Sequence, residues 1–411
     1  MLFRSAARIP SALASAMVML LIADTLWRWP QTSRPASGSA TLALSGAMAF
    51  GLGPLALVWG RTEVSDALFN GLLAMALLLA WRSYAAASPQ SHWWCPLALA
   101  TLTKGPVALV LVGLVLAVFG AMQGTQANVR QMIRPLRGLL LATLCAAPWF
   151  ALVLMRDGMP YVRSFFGYHN LQRFSQVVNH HQQPWWYFAA VLLVGSLPYT
   201  PLLLLGLKRA LPPMPPAAPE QSLDRFAACW LLVVLGFFSL SATKLPSYWL
   251  PATPAAALLV SLTLGVRVAP SRGETWALRV SSLLCCVLAA GLAITPLWLN
   301  RIDDPAVPEL AAVLLRGPWF AIGSVVSMTA AALAAGLASR RSSTRLLQSQ
   351  LALLVLVPLL LLPVAQRLDG LRGEPIRTLA AMAIRQREPG EALAMVGLMK
   401  PSLHFYSHST V

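Results

Sequence analysis

The stretch WWCPLALATLTKGPVALVLVGLVLAVFGAM, residues 93–122, decides the fold. It is apolar throughout except at Lys104-Gly105-Pro106. A membrane-spanning helix needs about 20 mostly apolar residues, and Gly and Pro interrupt helices. The stretch therefore predicts two short helical arms, 93–103 and 106–122, with a break between them. Because irregular backbone at membrane depth is tolerated only where it is buried in protein or lines a wet cavity, the break marks a candidate site.

The rest of the chain repeats this apolar character. The sequence of 411 residues is 57% hydrophobic and 11% charged, whereas a soluble domain has about 25% charged residues. One soluble core is excluded as well, because single cores stop growing at roughly 250–300 residues. We therefore expect an all-α polytopic membrane protein with about eleven hydrophobic helical elements. Besides 93–122, the apolar segments lie near 10–27, 39–59, 66–81, 138–155, 185–207, 226–242, 245–266, 276–299, 317–338 and 346–365.

The net charge of +17 has two explanations, a nucleic-acid surface or cytoplasmic loops. The basic residues lie in short runs between apolar segments, which is typical of cytoplasmic loops and argues against nucleic acid. About half of the 31 Lys and Arg residues fall in connections that can share one face. These connections are near 28–34, 82, 130–137, 208–225, 267–279 and 340–345. Most of the acidic residues then lie on the opposite, outer face. The break at Lys104 is predicted to lie on that face as well.

Cysteine and histidine give no sign of a metal site or a cofactor. The five cysteines lie in or beside apolar segments, and neighbours such as Cys285 and Cys286 do not easily form a disulfide. The six histidines form neither an HxxxH nor an HExxH pattern. We predict no metal and no cofactor.

The C-terminal tail differs from the rest of the chain. Charged residues become frequent from about residue 367, a helix-like run covers 375–387, and a strand-like run covers Ala392–Leu398. We predict a transmembrane domain over 1–366 and the start of a small α/β unit outside the membrane over 367–411. At some 45 residues this tail is too short to hold a good core alone.

Two acids head the segment 66–81 on the outer face. Acids favour the positive N-terminal end of a helix, so Glu63 and Asp66 could simply complement that end. Charges near membrane depth also mark functional sites. In that case Asp66 faces a cavity and orients or deprotonates a substrate group.

Two lysines stand beside prolines on the same predicted face. Lys104 lies in Thr-Lys-Gly-Pro, and Lys244 lies in Ser241-Ala-Thr-Lys-Leu-Pro-Ser-Tyr248. Each ammonium could extend to the membrane interface or neutralise a phosphate on a lipid. The repeated arrangement favours an anion site over two unrelated interface lysines.

The longest outer loop, 156–184, mixes aromatic and basic residues. Such a composition suits a helix lying on the bilayer surface, with Trp185 and Trp186 as interface anchors. Arg173 and His169 are four residues apart and share a helix face. If they face the cavity, they complete a basic pocket with Lys104.

These motifs together resemble a known family. The sequence is similar to the bacterial polyprenyl-phosphate-dependent glycosyltransferases, the aminoarabinose (lipid A) transferases and their relatives in the protein mannosyltransferase superfamily, from about residue 7 onwards. The resemblance rests on these stretches in this order: Leu99-Ala-Thr-Leu-Thr-Lys-Gly-Pro-Val107, Ala147-Pro-Trp-Phe150, Phe165 to Phe174, Ser241 to Pro251, and Lys400-Pro-Ser-Leu-His-Phe-Tyr406.

The resemblance implies a GT-C fold and inverting, metal-independent transfer of a sugar from a polyprenyl-phosphate donor. The acceptor would be a lipid, glycan or protein at the periplasmic face of the bacterial inner membrane. Asp66 matches the family's second acidic position, in a segment that also contains Glu63. Lys104 and Arg173 match basic residues near the donor phosphate, and Lys244 and Tyr248 match a Lys-Leu-Pro-x-Tyr element.

One part of the family pattern does not occur in this sequence. The family begins with an earlier helix and an outer loop whose Asp-Glu pair is the best candidate for the catalytic base. We therefore expect the chain to lack that helix and loop. Two alternatives remain open: an inactive relative that binds polyprenyl phosphate, and a multi-pass transporter. A transporter predicts inverted repeats with paired broken helices, and the sequence shows no repeated half.

Overall fold

The computed structural model describes residues 2–29, 36–88, 91–124, 129–131, 134–177, 182–211, 218–264, 270–302, 307, 309–388, 391, 393–395 and 401–407. In these ranges the regular structure is entirely helical, as predicted. The α-helices are α1 (Leu2–Arg28), α2 (Ala36–Gly51), α3 (Pro54–Trp59), α4 (Ser65–Ala85), α5 (Trp94–Lys104), α6 (Val107–Met122), α7 (Pro135–Val162), α8 (Tyr187–Gly195), α9 (Thr200–Ala210), α10 (Leu223–Leu240), α11 (Thr253–Thr263), α12 (Arg272–Leu299), α13 (Leu310–Leu314), α14 (Trp319–Ala335), α15 (Ser342–Leu354), α16 (Leu362–Arg372), α17 (Glu374–Gln386) and α18 (Pro401–Ser407).

Shorter helical pieces connect some of these elements. A π-helix, Arg163–Gln172, and one α-helical turn, Arg173–Ser175, follow α7. Two 3₁₀-helices, Pro219–Gln221 and Pro246–Ala252, precede α10 and α11, and a second π-helix, Val357–Leu361, precedes α16.

The helices meet the requirements of a multi-span membrane protein. In the described ranges six helical stretches are long and apolar enough to cross a bilayer, and a seventh is gained if α8 and α9, bent by 114°, form one broken span. Three more apolar helices are shorter: Ala40–Gly51 within α2, α6 and α14. Each predicted apolar segment coincides with one or more helices, so the prediction of a polytopic all-α membrane protein is confirmed.

The first compact unit comprises Met1–Leu284 and Ala331–Leu351. Its interior is built around α4, which packs against α1 and α5, while α2 packs against α1 and α11. Leu73, Leu77 and Trp81 of α4 are fully buried. The helices approach closely at small residues: a Cβ on Gly206 of α9 would lie 2.4 Å from Oγ1 of Thr263 in α11.

The predicted break between two short arms is confirmed at Gly105. Helix α5 ends at Lys104, and α6 begins at Val107. Gly105 adopts φ 82° and ψ −159°, a conformation essentially confined to glycine. The sequence Lys-Gly-Pro thus turns the chain directly after Lys104, the last residue of α5.

The second compact unit comprises Cys285–Ala330 and Ala352–Val411. It contains most of α12 and α14, together with α13 and α16–α18. The helix-like run predicted at 375–387 corresponds to α17. Most of the predicted strand-like run Ala392–Leu398 lies outside the described residues, and its described part, residues 393–395, is irregular.

Candidate functional site

A cavity of about 750 Å³ lies in the first unit, beside the Lys104 break. It brings together the start of α4, the α5–α6 break, the π-helix, the end of α10 and the 3₁₀-helix before α11. Its lining is mainly apolar, with a few polar groups that converge on one place, as in small-molecule sites generally. The lining residues are Ser65, Asp66, Phe69, Thr103, Lys104, Pro106, Val107, Phe165, Phe166, Asn170, Leu171, Arg173, Phe174, Phe237, Phe238, Ser241, Ser247, Tyr248 and Pro251.

Asp66 and Lys104 form an ion pair inside this cavity. Nζ of Lys104 lies 3.2 Å from Oδ2 of Asp66, with 33% and 21% of the side chains exposed. Asp66 stands in the first turn of α4, and Lys104 is the last residue of α5. Each charge therefore complements its own helix end, which is the simpler explanation considered for Asp66. The two explanations are compatible, because both groups also line the cavity.

The π-helix positions a second group of lining residues. Nδ2 of Asn170 donates a hydrogen bond to the carbonyl of Phe165 at 2.7 Å. The same amide lies against Gly105, where an added Cβ would come within 2.7 Å of Nδ2. Asn170 thus packs the π-helix directly onto the α5–α6 break, and the absence of a side chain at Gly105 makes this contact possible.

Arg173 and Tyr248 supply the polar groups opposite Lys104. The guanidinium of Arg173 lies near the hydroxyl of Tyr248. It also lies 5.9 Å from the ring centroid of Tyr168. Nε of Arg173 is buried and has no hydrogen-bond partner among the described residues. Arg173 thus lines the cavity with a cation whose donors are not all used within the described residues.

The other predicted site residues lie elsewhere. Lys244 is 9% exposed, donates to the carbonyl of Ser241 at 2.8 Å, and does not line the cavity. Glu63 is paired with Arg8 at 3.1 Å on an exposed surface and is also outside the lining. The backbone of His169 belongs to the π-helix, but its side chain is outside the described residues. Of the predicted set, the structure brings together Asp66, Lys104, Arg173 and Tyr248.

Several lining residues were not predicted as site residues. Asn170 stands next to His169 in the motif of the outer loop and carries the contact with Gly105. Ser241 and Ser247 flank Lys244 in its motif. Their position in these motifs could have identified them as site residues. Nothing in the sequence marks Phe237 and Phe238 in this way, because two aromatic residues inside an apolar span are indistinguishable from ordinary core residues.

In the described part of the chain, no group of three or more His, Cys, Asp or Glu side chains could hold a metal ion. The cavity instead offers one carboxylate, two cations and a phenol. Such a set can orient a hydroxyl nucleophile and hold a phosphate.

Comparison with known proteins identifies the class first. A crystal structure of ArnT from Cupriavidus metallidurans bound to undecaprenyl phosphate superposes with a TM-score of 0.79, covering 98% of this chain and 70% of that one at 23% identity. The apo structure of the same protein gives 0.76 at 21% identity. The protein is therefore a polytopic membrane protein of the GT-C fold.

Sequence comparison identifies homologues that share one name. Undecaprenyl phosphate-α-4-amino-4-deoxy-L-arabinose arabinosyl transferase of Pseudomonas paraeruginosa is 30% identical over 339 residues, which is 77% of this chain and 56% of that protein. The protein with the same name from Pectobacterium carotovorum is 31% identical over 338 residues, with the same coverage. Residues 386–411 match a family model for the C-terminal domain of cyanobacterial RgtA-type glycosyltransferases.

The chain is a homologue of these arabinosyl transferases over 77% of its length. It spans little more than half the length of the curated relatives it matches.

Proposed function

We propose that this protein is a membrane glycosyltransferase that moves a sugar from a polyprenyl-phosphate donor to an acceptor, with inversion at the anomeric carbon. The acceptor would be a lipid, glycan or protein at the periplasmic face of the bacterial inner membrane. The observation that carries the proposal is the convergence of Asp66, Lys104, Arg173 and Tyr248 on one cavity. The names of its relatives, which combine undecaprenyl phosphate with arabinosyl transfer, support the same donor class.

In this reaction the bond between the anomeric carbon and the phosphate oxygen breaks, and the acceptor oxygen bonds to that carbon. Negative charge then grows on the phosphate that leaves with the polyprenyl chain. Lys104 and Arg173 would stabilise that charge, because cations fixed in a site that excludes water act most strongly where charge develops. Both cations line the cavity before the donor arrives, and Lys104 is paired there with Asp66.

Asp66 is proposed to orient the acceptor or remove its proton. A carboxylate 21% exposed at a cavity wall can accept a hydrogen bond from an acceptor hydroxyl while remaining paired with Lys104. Positioning of this kind contributes to the rate even when another group takes the proton. Tyr248 is proposed to bind donor phosphate or sugar through its hydroxyl.

We also propose that residues 1–366 form the transmembrane transferase domain and that residues 367–411 begin a domain outside the membrane. The match of residues 386–411 to a C-terminal glycosyltransferase domain supports this division.

The function can be tested with purified protein in nanodiscs, supplied with radiolabelled sugar on undecaprenyl phosphate and with bacterial envelope lipids as acceptors. Label transfer that requires both the protein and the polyprenyl donor is expected. Binding of undecaprenyl phosphate without transfer would instead identify an inactive binding relative. Absence of both would overturn the proposal.

A further inference from the structure

The backbone of Arg173 is held by a short segment from a distant part of the sequence. The amide of Thr243 donates to the carbonyl of Arg173 at 3.2 Å, and the amide of Ala242 donates to the carbonyl of Phe174 at 2.9 Å. The hydroxyl of Thr243 donates to the carbonyl of Gln176 at 2.9 Å. Residues 241–243 therefore fix the turn that presents Arg173 to the cavity, and we call this segment the clamp.

Ser241, the first residue of the clamp, contributes a hydrogen bond from its side chain. Its hydroxyl lies 3.0 Å from the carbonyl of Thr243 and 3.3 Å from the carbonyl of Arg173, and it can donate to either. The carbonyl of Ser241 accepts a hydrogen bond from Nζ of Lys244 at 2.8 Å. One ammonium therefore stabilises the turn whose amides hold Arg173.

The surroundings of Lys244 fit this contact better than a direct role at a phosphate. The side chain is 9% exposed, and the residue does not line the cavity. It lies just beyond the C-terminus of α10, whose cap residue is Ser241. Lysine near a helix C-terminus stabilises the last carbonyl groups, since the helix dipole is negative there. Burying an ammonium is costly, so a buried one must have an acceptor that compensates.

We propose that Lys244 is a positioning residue: it holds the clamp, and the clamp holds Arg173 in the cavity. For its effect on phosphate binding, this inference rests on the proposed function. The Lys-Leu-Pro-Ser-Tyr248 motif then has two separate tasks, because Tyr248 reaches the cavity itself while Lys244 acts through Arg173.

A first experiment tests the clamp without any ligand. Hydrogen exchange of the backbone amides of Ala242 and Thr243 is compared between the wild type and Lys244→Met, which keeps an unbranched side chain, one atom shorter, without the charge. Loss of a hydrogen bond made by a charged donor is expected to speed exchange there about tenfold. Thr243→Val, which removes one hydroxyl contact, should do so to a smaller extent. Unchanged exchange in Lys244→Met overturns the proposal.

A second experiment separates action through Arg173 from direct phosphate binding. The Kd for undecaprenyl phosphate in nanodiscs is measured for the wild type, Lys244→Met, Arg173→Ala and the double variant. Lys244→Met is expected to raise the Kd about tenfold when Arg173 is present. In the Arg173→Ala background the same substitution is expected to raise the Kd less than twofold. Lys244→Arg, which retains a cation, should restore most of the affinity.

Additive effects of Lys244→Met and Arg173→Ala would contradict the proposal, because they would show that Lys244 contributes independently of Arg173. A general loss of folding would reduce affinity in both backgrounds and would also lower the melting temperature. If the wild-type protein binds no undecaprenyl phosphate, the proposed function fails, whereas the exchange experiment still decides whether Lys244 holds the clamp.

Discussion

Nζ of Lys104 lies 3.2 Å from Oδ2 of Asp66, where the end of α5 meets the start of α4. Partly exposed ion pairs of this kind contribute only about 0.2–1 kcal/mol to stability. A donor phosphate entering the cavity can therefore compete with Asp66 for Lys104 at small energetic cost. If the proposed function holds, the two members of the pair act on different substrates and should respond differently to substitution.

Substitution of Asp66 should separate binding from transfer. Asp66→Asn removes the carboxylate that competes for Lys104, so the affinity for undecaprenyl phosphate is expected to stay the same or increase. Transfer is expected to fall by about 10²–10⁴-fold, the range typical for loss of a positioned acid or base. Single-turnover transfer and equilibrium binding measure the two effects separately.

Asp157→Asn serves as the matched control for the Asp66 substitution. Asp157 is an exposed acid beside Arg156 and does not line the cavity. Its variant should transfer sugar at the wild-type rate. Wild-type turnover in Asp66→Asn would remove Asp66 from the catalytic assignment.

Substitution of Lys104 should affect the donor phosphate directly. Lys104→Ala is expected to weaken undecaprenyl phosphate binding by about tenfold or more, as expected for loss of a hydrogen bond between charged groups. Affinity should also become less sensitive to salt in the variant, because screening acts on exposed charge pairs. Titrations at low and high salt measure both effects.

The exposed Lys208 on α9 provides a control for the loss of one positive charge. Lys208→Ala should bind the donor with unchanged affinity. Equal affinities for Lys104→Ala and the wild type would show that Lys104 only complements the end of its helix.

Gly105 should tolerate no side chain. Its φ of 82° with ψ −159° costs other residues about 1–3 kcal/mol, and an added Cβ would lie 2.7 Å from Nδ2 of Asn170. Gly105→Ala is expected to displace Lys104 from the cavity and to weaken undecaprenyl phosphate binding about tenfold. The double variant Gly105→Ala, Asn170→Ala removes the collision but retains the backbone strain, so it should recover only part of the affinity.

Gly113 of α6 gives the comparison for this substitution, because nothing lies within 4 Å of a Cβ built there. Gly113→Ala should leave donor binding and the melting temperature near the wild-type values. If Gly105→Ala behaves in the same way, the break does not depend on glycine.

The fold was largely predictable from the sequence because apolar length and Gly-Pro breaks act locally. The two arms at 93–103 and 106–122 follow from the residues of one stretch. Convergence of Asp66, Lys104 and Arg173 also followed from charge patterning and the family resemblance. The contact of Lys244 with the carbonyl of Ser241 could not be predicted. Sequence spacing does not show whether a lysine beside a proline points towards a cavity or back onto the carbonyl three residues earlier.

The ends of α9, α11 and α12 are joined by a polar cluster whose contribution to stability can be measured. The guanidinium of Arg209 donates to Oε1 of Glu274 at 2.8 Å, to the carbonyl of Thr263 at 3.0 Å and to the hydroxyl of Ser271 at 2.8 Å. The side chain of Glu274 is 3% exposed and that of Arg209 is 35% exposed. The cluster therefore combines a buried acid with a partly hydrated base.

Glu274→Gln should destabilise the first unit without changing transfer. The substitution leaves Arg209 with a neutral partner and weakens a charge-assisted contact. A loss of about 1–3 kcal/mol is expected, since the exposure of Arg209 reduces the larger cost found for fully buried pairs. The melting temperature in detergent should fall, whereas Glu220→Gln, at an exposed acid in the same set of connections, should leave it unchanged. Equal melting temperatures for the two variants would show that solvent compensates for the lost charge. The hydrogen bonds of Arg209 to Thr263 and Ser271 would then be sufficient to hold the three helix ends together.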